Sequence, residues 1–158
     1  MPKASKEPCR CGWCGEEEIY IKYHDEEWGV PVHDDRLLFE FLILEGNQAG
    51  LSWLTILKKR ESFRKAYAGF DAEKVARFGQ KDIDRLLADP GVIRNKLKVA
   101  AAIINAQKFL EVREKQGSFS DFMWGFVDGK PIRNKWKRLD QIPATSPESD
   151  AISKEMKR

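Results

Sequence analysis

Apolar residues recur every three or four positions along most of this chain, which is the spacing of one face of an α-helix. No segment alternates apolar and polar residues over a length that would predict a β-strand. The pattern predicts helices over residues 16–28, 34–45, 52–67, 71–78, 80–88, 95–115 and 118–127, and a last helix that begins at Ser146-Pro147. We therefore expect an all-α fold, in which Gly46 ends the second helix.

The break between the fifth and sixth predicted helices is sharp. The Asp-Pro-Gly sequence at 89–91 cannot continue a helix, because proline has no amide hydrogen and glycine adopts angles that other residues avoid. Backbone amides exposed at such a turn can bind phosphate oxygens, and Arg94, Lys96 and Lys98 add positive charge beside it. The segment predicts a helix-hairpin-helix that contacts the DNA backbone, with an ordinary interhelical turn as the alternative.

Length and composition limit the architecture. The 158 residues are enough for one domain and too few for two, and a hydrophobic content of 42% excludes a disordered chain. The longest apolar run, residues 99–104, is far shorter than the roughly 20 residues of a membrane-spanning helix. With no secretory signal, the protein is expected in the cytoplasm, as a monomer with a single domain over residues 1–158 and a flexible arm over 1–10.

Charge and cysteine are unevenly distributed. The net charge of +3 says little about partners, but residues 130–138 hold five basic residues and no acid. Cys9, Cys11 and Cys14 lie within six positions of one another, and a clustered, odd set in a chain without a signal is not a disulfide framework. A metal site and free thiols are the two remaining interpretations.

One carboxylate is singled out in the second predicted helix. Leu38, Phe41 and Leu42 form an apolar stripe. Glu45 falls on the same face, whereas Glu40 is predicted to face away from it. A carboxylate that loses solvation needs a partner or a function, so Glu45 is the leading candidate for an acid, a base or a ligand anchor. The alternative is a glutamate exposed where the helix frays.

The first predicted helix presents an aromatic face with polar tips, formed by Tyr20, Tyr23, His24, Glu27 and Trp28. Trp13 precedes this helix and Trp53 follows Glu45. Such a surface suits a flat, cationic ligand held between rings, because the faces of aromatic rings attract positive charge. The alternative is that these rings fill the core of a small helical domain.

Several motifs together resemble one protein family. They are Cys-Gly-Trp at 11–13, Tyr-His-Asp at 23–25, Glu-Trp-Gly-Val-Pro at 27–31, Leu-Glu-Gly at 44–46, Gln-Ala-Gly-Leu-Ser-Trp at 48–53 and Leu-Lys-Lys-Arg at 57–60. The similarity continues through Gly-Val-Ile-Arg at 91–94 and covers almost the whole chain from Cys11. By these motifs the chain resembles the bacterial DNA-3-methyladenine glycosylase I family, which belongs to the helix-hairpin-helix DNA glycosylases.

The resemblance implies an enzyme that flips an alkylated nucleotide out of double-stranded DNA and hydrolyses the N-glycosidic bond of 3-methyladenine. By position, Glu45 corresponds to the pocket carboxylate. Trp13 and Trp53 correspond to the rings that sandwich the base, and Tyr20 and Tyr23 to its hydrogen-bond partners. The implied DNA contacts are Leu51, as a wedge into the gap left by the flipped base, and the hairpin residues Gly91, Ile93, Arg94, Lys96 and Lys98.

The same resemblance implies a structural zinc. Cys11 and His24 match two of the family's four ligands by position, but the other two, a His and a Cys from a closing C-terminal segment, have no counterpart in this sequence. Structural zinc sites use four ligands. Three outcomes are therefore open: the chain is shortened, Cys9 and Cys14 supply replacements, or no metal binds.

Two functions of different classes follow from these observations. The first is an active monofunctional glycosylase specific for 3-methyladenine. The alternative is a non-catalytic DNA-binding helical domain, a shortened family member without activity. The complete set of pocket residues favours the first function, and the missing closing segment favours the second.

Overall fold

The computed structural model describes residues 9–157, so the predicted flexible arm over residues 1–10 lies almost entirely outside the described residues. Across residues 9–157 the structure contains helices and no strand, and the predicted all-α fold is confirmed. The helices are α1 Glu18–Glu26, α2 Asp35–Gln48, α3 Trp53–Ala66, α4 Ala72–Val75, α5 Gln80–Ala88, α6 Lys96–Gln116, α7 Phe119–Gly125 and α8 Pro147–Glu155. None of them is both long and apolar enough to cross a lipid bilayer.

Side-chain caps explain why the predicted helix starts agree with the structure to within a few residues. Asp34 accepts a hydrogen bond from the amide of Leu37 at the start of α2, and Ser52 does the same for Thr55 at the start of α3. Asn95 caps α6 in the same way. An oxygen placed at this position satisfies an amide that has no partner within the helix.

The predicted end of the second helix is wrong. Gly46 does not stop α2, which continues to Gln48, where Ala49 and Gly50 leave the helical conformation. A glycine inside a helix costs only about 1 kcal/mol relative to alanine, and beyond it the buried Asn47 side chain donates a hydrogen bond of 2.8 Å to the carbonyl of Ile43 in the same helix. The glycine that turns the chain is Gly50, whose φ of 78° is in the left-handed region that favours glycine.

The core lies between three long helices. Phe39, Ile43 and Leu44 of α2 are buried against α3 and against α6, which packs on α2, α4, α5 and α7. The helix α1 differs from these, because none of its residues is buried and its main packing partner among the long helices is α3. The core therefore fixes α2, α3 and α6 relative to one another, and α1 lies on its surface.

Candidate active site

Glu45 lies in the last turn of α2, where its negative charge acts on Tyr23 of α1. The residue is exposed, yet nearby protein atoms displace enough water to raise the pKa of its carboxyl group. Within residues 9–157 no hydrogen bond or ion pair of the protein engages this carboxylate. A partly desolvated carboxylate without a partner is disposed to accept a cationic ligand.

The carboxylate that α2 buries is Glu40, and the predictions that Glu45 faces inward and Glu40 outward are wrong. Glu40 is only 6% exposed, and the buried residues of the helix fall at positions 39, 40, 43, 44 and 47. The apolar stripe of Leu38, Phe41 and Leu42, from which the prediction was made, lies on the other side of the helix from these buried residues. Glu40 can be buried because the guanidinium groups of Arg60 and Arg64 both donate hydrogen bonds to it.

Trp13 begins a cluster of rings that we call the aromatic wall. It lies in a 3-10 turn at Gly12–Cys14, and its ring centroid is 5.3 Å from that of Tyr20, 6.5 Å from Tyr23 and 5.0 Å from Trp28. These four residues define the wall. None of these four belongs to the hydrophobic core, so the alternative that the rings fill the core is wrong for them, whereas Trp53 is partly buried and packs against the core.

Tyr23 connects the aromatic wall to the other predicted site residues. Its ring centroid is 5.4 Å from that of Trp53, at an interplanar angle of 60°. Burial raises the pKa of the Tyr23 hydroxyl, and the nearby negative charges of Glu45 and Glu27 raise it further. Tyr23 therefore lies near both Glu45 and Trp53, as expected for residues of one site.

Trp53 is the first residue of α3, directly after the capping residue Ser52. Its indole Nε1–H is buried and has no hydrogen-bond partner within residues 9–157. Buried donors are nearly always paired, so an unpaired one beside Tyr23 marks a position where packing or function outweighs hydrogen bonding.

Leu51 lies at the tip of the turn that joins α2 to α3. The amide of Leu51 donates to the carbonyl of Gln48 at 2.7 Å, and the Gln48 side chain donates back to the carbonyl of Leu51 at 2.6 Å. These two bonds hold the turn tightly, while the Leu51 side chain stays exposed. A rigid turn that presents an apolar side chain to solvent has the form of the predicted wedge.

Lys98 supports this turn instead of extending into solvent. Its ammonium group donates to the carbonyl of Asn47 at 2.7 Å and to that of Ala49 at 2.6 Å, at the end of α2. These carbonyls have no partner within the helix, and a cation there satisfies them. The Lys98 ammonium group is thus engaged by the protein itself, which the prediction of a phosphate contact did not include. Arg94 and Lys96 remain exposed at the start of α6.

The hairpin at residues 89–95 also differs in detail from the prediction. The Gly91 amide does not point outward to bind an anion, because it donates to the carboxylate of Asp89 at 2.7 Å. A Cβ atom on Gly91 would lie 2.8 Å from that of Ser62 in α3, so close packing requires the glycine. The amides of Ile93 and Arg94 make no hydrogen bond within the described chain. These two amides are therefore available to donate hydrogen bonds to a phosphate group.

Arg60 is a residue of the site that the sequence analysis missed. It is 9% exposed, and it donates to both Glu40 of α2 and Glu27 at the end of α1. A single sequence contains no signal that pairs residues on three different helices. The only indication was that Glu27 shares the aromatic face of the first helix.

Cys11 and His24, the two predicted zinc ligands, are brought together. The Cys11 amide donates to His24 Nε2 at 3.3 Å, and His24 Nδ1 hydrogen bonds to Asp25 at 2.8 Å, so both ring nitrogens are engaged. Cys9 is exposed, whereas Cys14 is buried. No group of three or more His, Cys, Asp or Glu side chains among residues 9–157 is arranged to hold a metal.

Known proteins resemble this chain along most of its length. Residues 13–158 match the family model described as methyladenine glycosylase. DNA-3-methyladenine glycosylase 1 of Escherichia coli (strain K12) is 46% identical over 149 residues, which cover 94% of this chain and 80% of that protein.

Solved structures of similar proteins resemble this chain as well. A crystal structure of 3-methyladenine DNA glycosylase I superposes with a TM-score of 0.90 at 47% identity and covers 94% of this chain and 82% of that one. A structure of the Staphylococcus aureus protein, described as the structural basis of 3-methyladenine recognition, has a TM-score of 0.90 at 38% identity. The match to it covers 94% of this chain and 79% of that chain.

Proposed function

The chain belongs to the methyladenine glycosylase family, and from this premise we propose that it removes 3-methyladenine from alkylated double-stranded DNA by hydrolysing the N-glycosidic bond. It acts as a monofunctional DNA glycosylase. The observation that carries the proposal is the unpaired carboxylate of Glu45, which lies close to Tyr23 of the aromatic wall. This site combines a negative charge with aromatic rings, which is what a cationic base requires.

The chemistry places few demands on the protein. The methylated base is cationic while it is attached to deoxyribose, so cleavage sends the bonding electron pair to the base, which leaves as a neutral molecule. Positive charge develops on the sugar until water adds and a proton departs to solvent. Because the leaving base needs no proton, a strong general acid is unnecessary. The protein has to select the charged base and hold it in place.

Selection follows from the residues around Glu45. Its carboxylate attracts the cationic base, and no cation among residues 9–157 forms an ion pair with it. We propose that Trp13 and Trp53 stack on the faces of the base and that the hydroxyl groups of Tyr20 and Tyr23 bond to its edge. Unmodified adenine is neutral, so it gains neither the charge attraction nor the cation–π contact.

The base must first leave the DNA stack. We propose that Leu51 enters the space that the flipped nucleotide leaves, because it is exposed on a turn held by two hydrogen bonds. The free amides of Ile93 and Arg94, with the side chains of Arg94 and Lys96, hold the DNA backbone nearby.

The decisive experiment compares the parent protein with Glu45→Gln, which keeps the shape and removes the charge. Release of free 3-methyladenine from methylated DNA is expected to fall by roughly a hundredfold, as it does when a comparable electrostatic contact is removed from other enzymes. Affinity for undamaged duplex DNA should be unchanged. Glu114→Gln, an exposed position on α6, is the matched control.

Two results would contradict the proposal. Equal release by Glu45→Gln and the parent would remove Glu45 from the mechanism. A parent that binds duplex DNA but releases no base would favour the non-catalytic DNA-binding domain instead.

Zinc and oligomeric state stay predictions. Cys11 and His24 lie side by side but form no complete site among residues 9–157, so no step of the reaction is derived through a metal. Elemental analysis of the purified protein tests for zinc. We propose that one monomer acts on one site in double-stranded DNA, which sedimentation of the protein with a short duplex can measure.

A further inference from the structure

We propose that Arg60 is a positioning residue, which holds α1, with Tyr20 and Tyr23 of the aromatic wall, at a fixed distance from Glu45 on α2 and Trp53 on α3 through its ion pair with Glu27. The inference rests on the proposed function, because it assigns Arg60 to the same base-binding site. Among residues 9–157 the Arg60 guanidinium stacks on Phe41 and on none of the rings proposed to contact the base, although its charge acts on the Tyr23 hydroxyl. Its main effect is therefore exerted through the helix that carries Tyr20 and Tyr23.

The geometry of Arg60 is that of a clamp between three helices. Its Nη1 donates to both carboxylate oxygens of Glu27, at 2.8 and 2.7 Å, while its Nε donates to Glu40. The guanidinium group also lies over the ring of Phe41, with its carbon 5.2 Å from the ring centroid. The Arg60 side chain is thus fixed by Glu40 and Phe41, and its hydrogen bonds in turn fix the position of the Glu27 carboxylate.

The attachment of α1 depends on this clamp, because the helix has no buried residue to anchor it in the core. A second ion pair joins the same two helices, between Glu17 and Lys58 at 3.0 Å, but both side chains are more than half exposed. Ion pairs exposed to this degree contribute little. In the Arg60–Glu27 pair, the Arg60 side chain is 10% exposed and that of Glu27 is 30% exposed. The ring contact between Tyr23 and Trp53 completes the attachment.

The network also determines which substitution is informative. Removal of the Arg60 guanidinium leaves the buried carboxylate of Glu40 with Arg64 alone, and such a change can unfold a protein. Removal of the charge on Glu27 leaves Arg60 paired with Glu40, so the contacts between α2 and α3 persist. Glu27→Gln therefore loosens α1 and spares the core.

The test compares Glu27→Gln with Glu17→Gln, the same substitution in the exposed ion pair between the same two helices. Isothermal titration of each full-length protein with free 3-methyladenine measures base binding, and single-turnover release from methylated DNA measures activity. Both should weaken roughly ten- to a hundredfold in Glu27→Gln, as when a binding group is misplaced by about 1 Å. Glu17→Gln should stay within about twofold of the parent, as expected for an exposed pair.

Further readouts separate positioning from general destabilisation. Affinity for undamaged duplex should be the same in both variants, the folded fraction of Glu27→Gln should still bind the base more weakly than Glu17→Gln, and Glu27→Asp, which keeps the charge, should recover part of the base affinity. Two results would overturn the role of Arg60 and leave the proposed function standing. One is equal base affinity in Glu27→Gln and Glu17→Gln, and the other is a loss of base affinity explained entirely by a lower melting temperature. A parent protein that fails to bind 3-methyladenine would overturn the proposed function as well.

Discussion

The aromatic wall and the hairpin at residues 89–95 are held in place by different forces. The wall consists of partly or fully exposed rings that contact one another on α1, a helix without a buried residue, and in the segments on either side of it. In the hairpin, Val92 is only 3% exposed and Gly91 leaves no room for a side chain beside Ser62. Lys59 adds a hydrogen bond of 2.7 Å to the carbonyl of Pro90. Changes in the wall should therefore affect base binding, and changes in the hairpin should affect stability.

The largest expected effect on base binding comes from removing a tryptophan ring of the site. Trp13→Ala and Trp53→Ala should each weaken binding of free 3-methyladenine by about 1–3 kcal/mol, which is roughly five- to a hundredfold in Kd. Trp136→Ala removes an exposed indole from outside the site and is the control. Calorimetric titration gives Kd and thermal melting gives stability.

The two measurements distinguish stacking from packing. If both tryptophan variants lose several degrees of melting temperature while the folded fraction still binds the base normally, the two rings have a structural role only. The wall would then resemble the hairpin, and the comparison would fail.

The hairpin should show the opposite behaviour. Gly91→Ala is expected to cost about 1–3 kcal/mol of unfolding free energy, because its Cβ would overlap that of Ser62. Ser62→Gly removes the two obstructing atoms of Ser62 and leaves the Asp89 carboxylate oxygen at 2.9 Å, so Gly91→Ala should cost less in that background. Urea unfolding of the four proteins of this cycle measures the coupling between the two positions. If the losses of unfolding free energy in the two single variants simply add in the double variant, packing against Ser62 is not the reason for Gly91.

The basic residues beside the hairpin should contribute differently to the salt dependence of DNA binding. Arg94→Gln and Lys96→Gln are each expected to make the plot of log affinity for duplex DNA against log salt shallower by about one unit. Lys98→Gln should leave the slope unchanged, because its ammonium group is bonded to Asn47 and Ala49. Fluorescence anisotropy across a salt series measures all three. A shallower slope in Lys98→Gln would restore the phosphate contact predicted from the sequence.

Local signals explain what the sequence predicted correctly. Helix starts depend on a capping oxygen and the residues next to it, so Asp34, Ser52 and Asn95 were sufficient to place α2, α3 and α6. The motifs that carry the family resemblance are equally local. Tyr23 and Trp53 lie on different helices, and the structure brings them within 5.4 Å of each other.

Features that depend on tertiary contacts were predicted poorly. The buried face of α2 was misassigned because Glu40 looks like a surface residue until Arg60 and Arg64 are placed against it. Lys98 looks like a free cation for the same reason, since the carbonyls it bonds lie about fifty positions away in sequence. Periodicity describes the polarity of a residue and contains no information about a distant partner.

The smallest predicted effect is on stability, and it tests whether Glu45 is held without a partner. Burial raises the pKa of its carboxyl group, so the folded protein favours the protonated form more than the unfolded chain does. The stability that this group contributes is present below its ordinary pKa, near 4.3, and is lost as the pH rises through the raised pKa. Glu45→Gln should therefore melt at a higher temperature than the parent at pH 7, and the difference should vanish at low pH.

Glu114→Gln, on an exposed face of α6, is the control for the general effect of removing one negative charge. Thermal melting of the three proteins between pH 4 and pH 8 separates that general effect from the local one. A partner cation that compensates Glu45 would reverse the sign, because loss of the carboxylate would then destabilise the protein at pH 7. The carboxylate would then be part of the framework, as Glu40 is, and the distinction between the two glutamates of α2 would disappear.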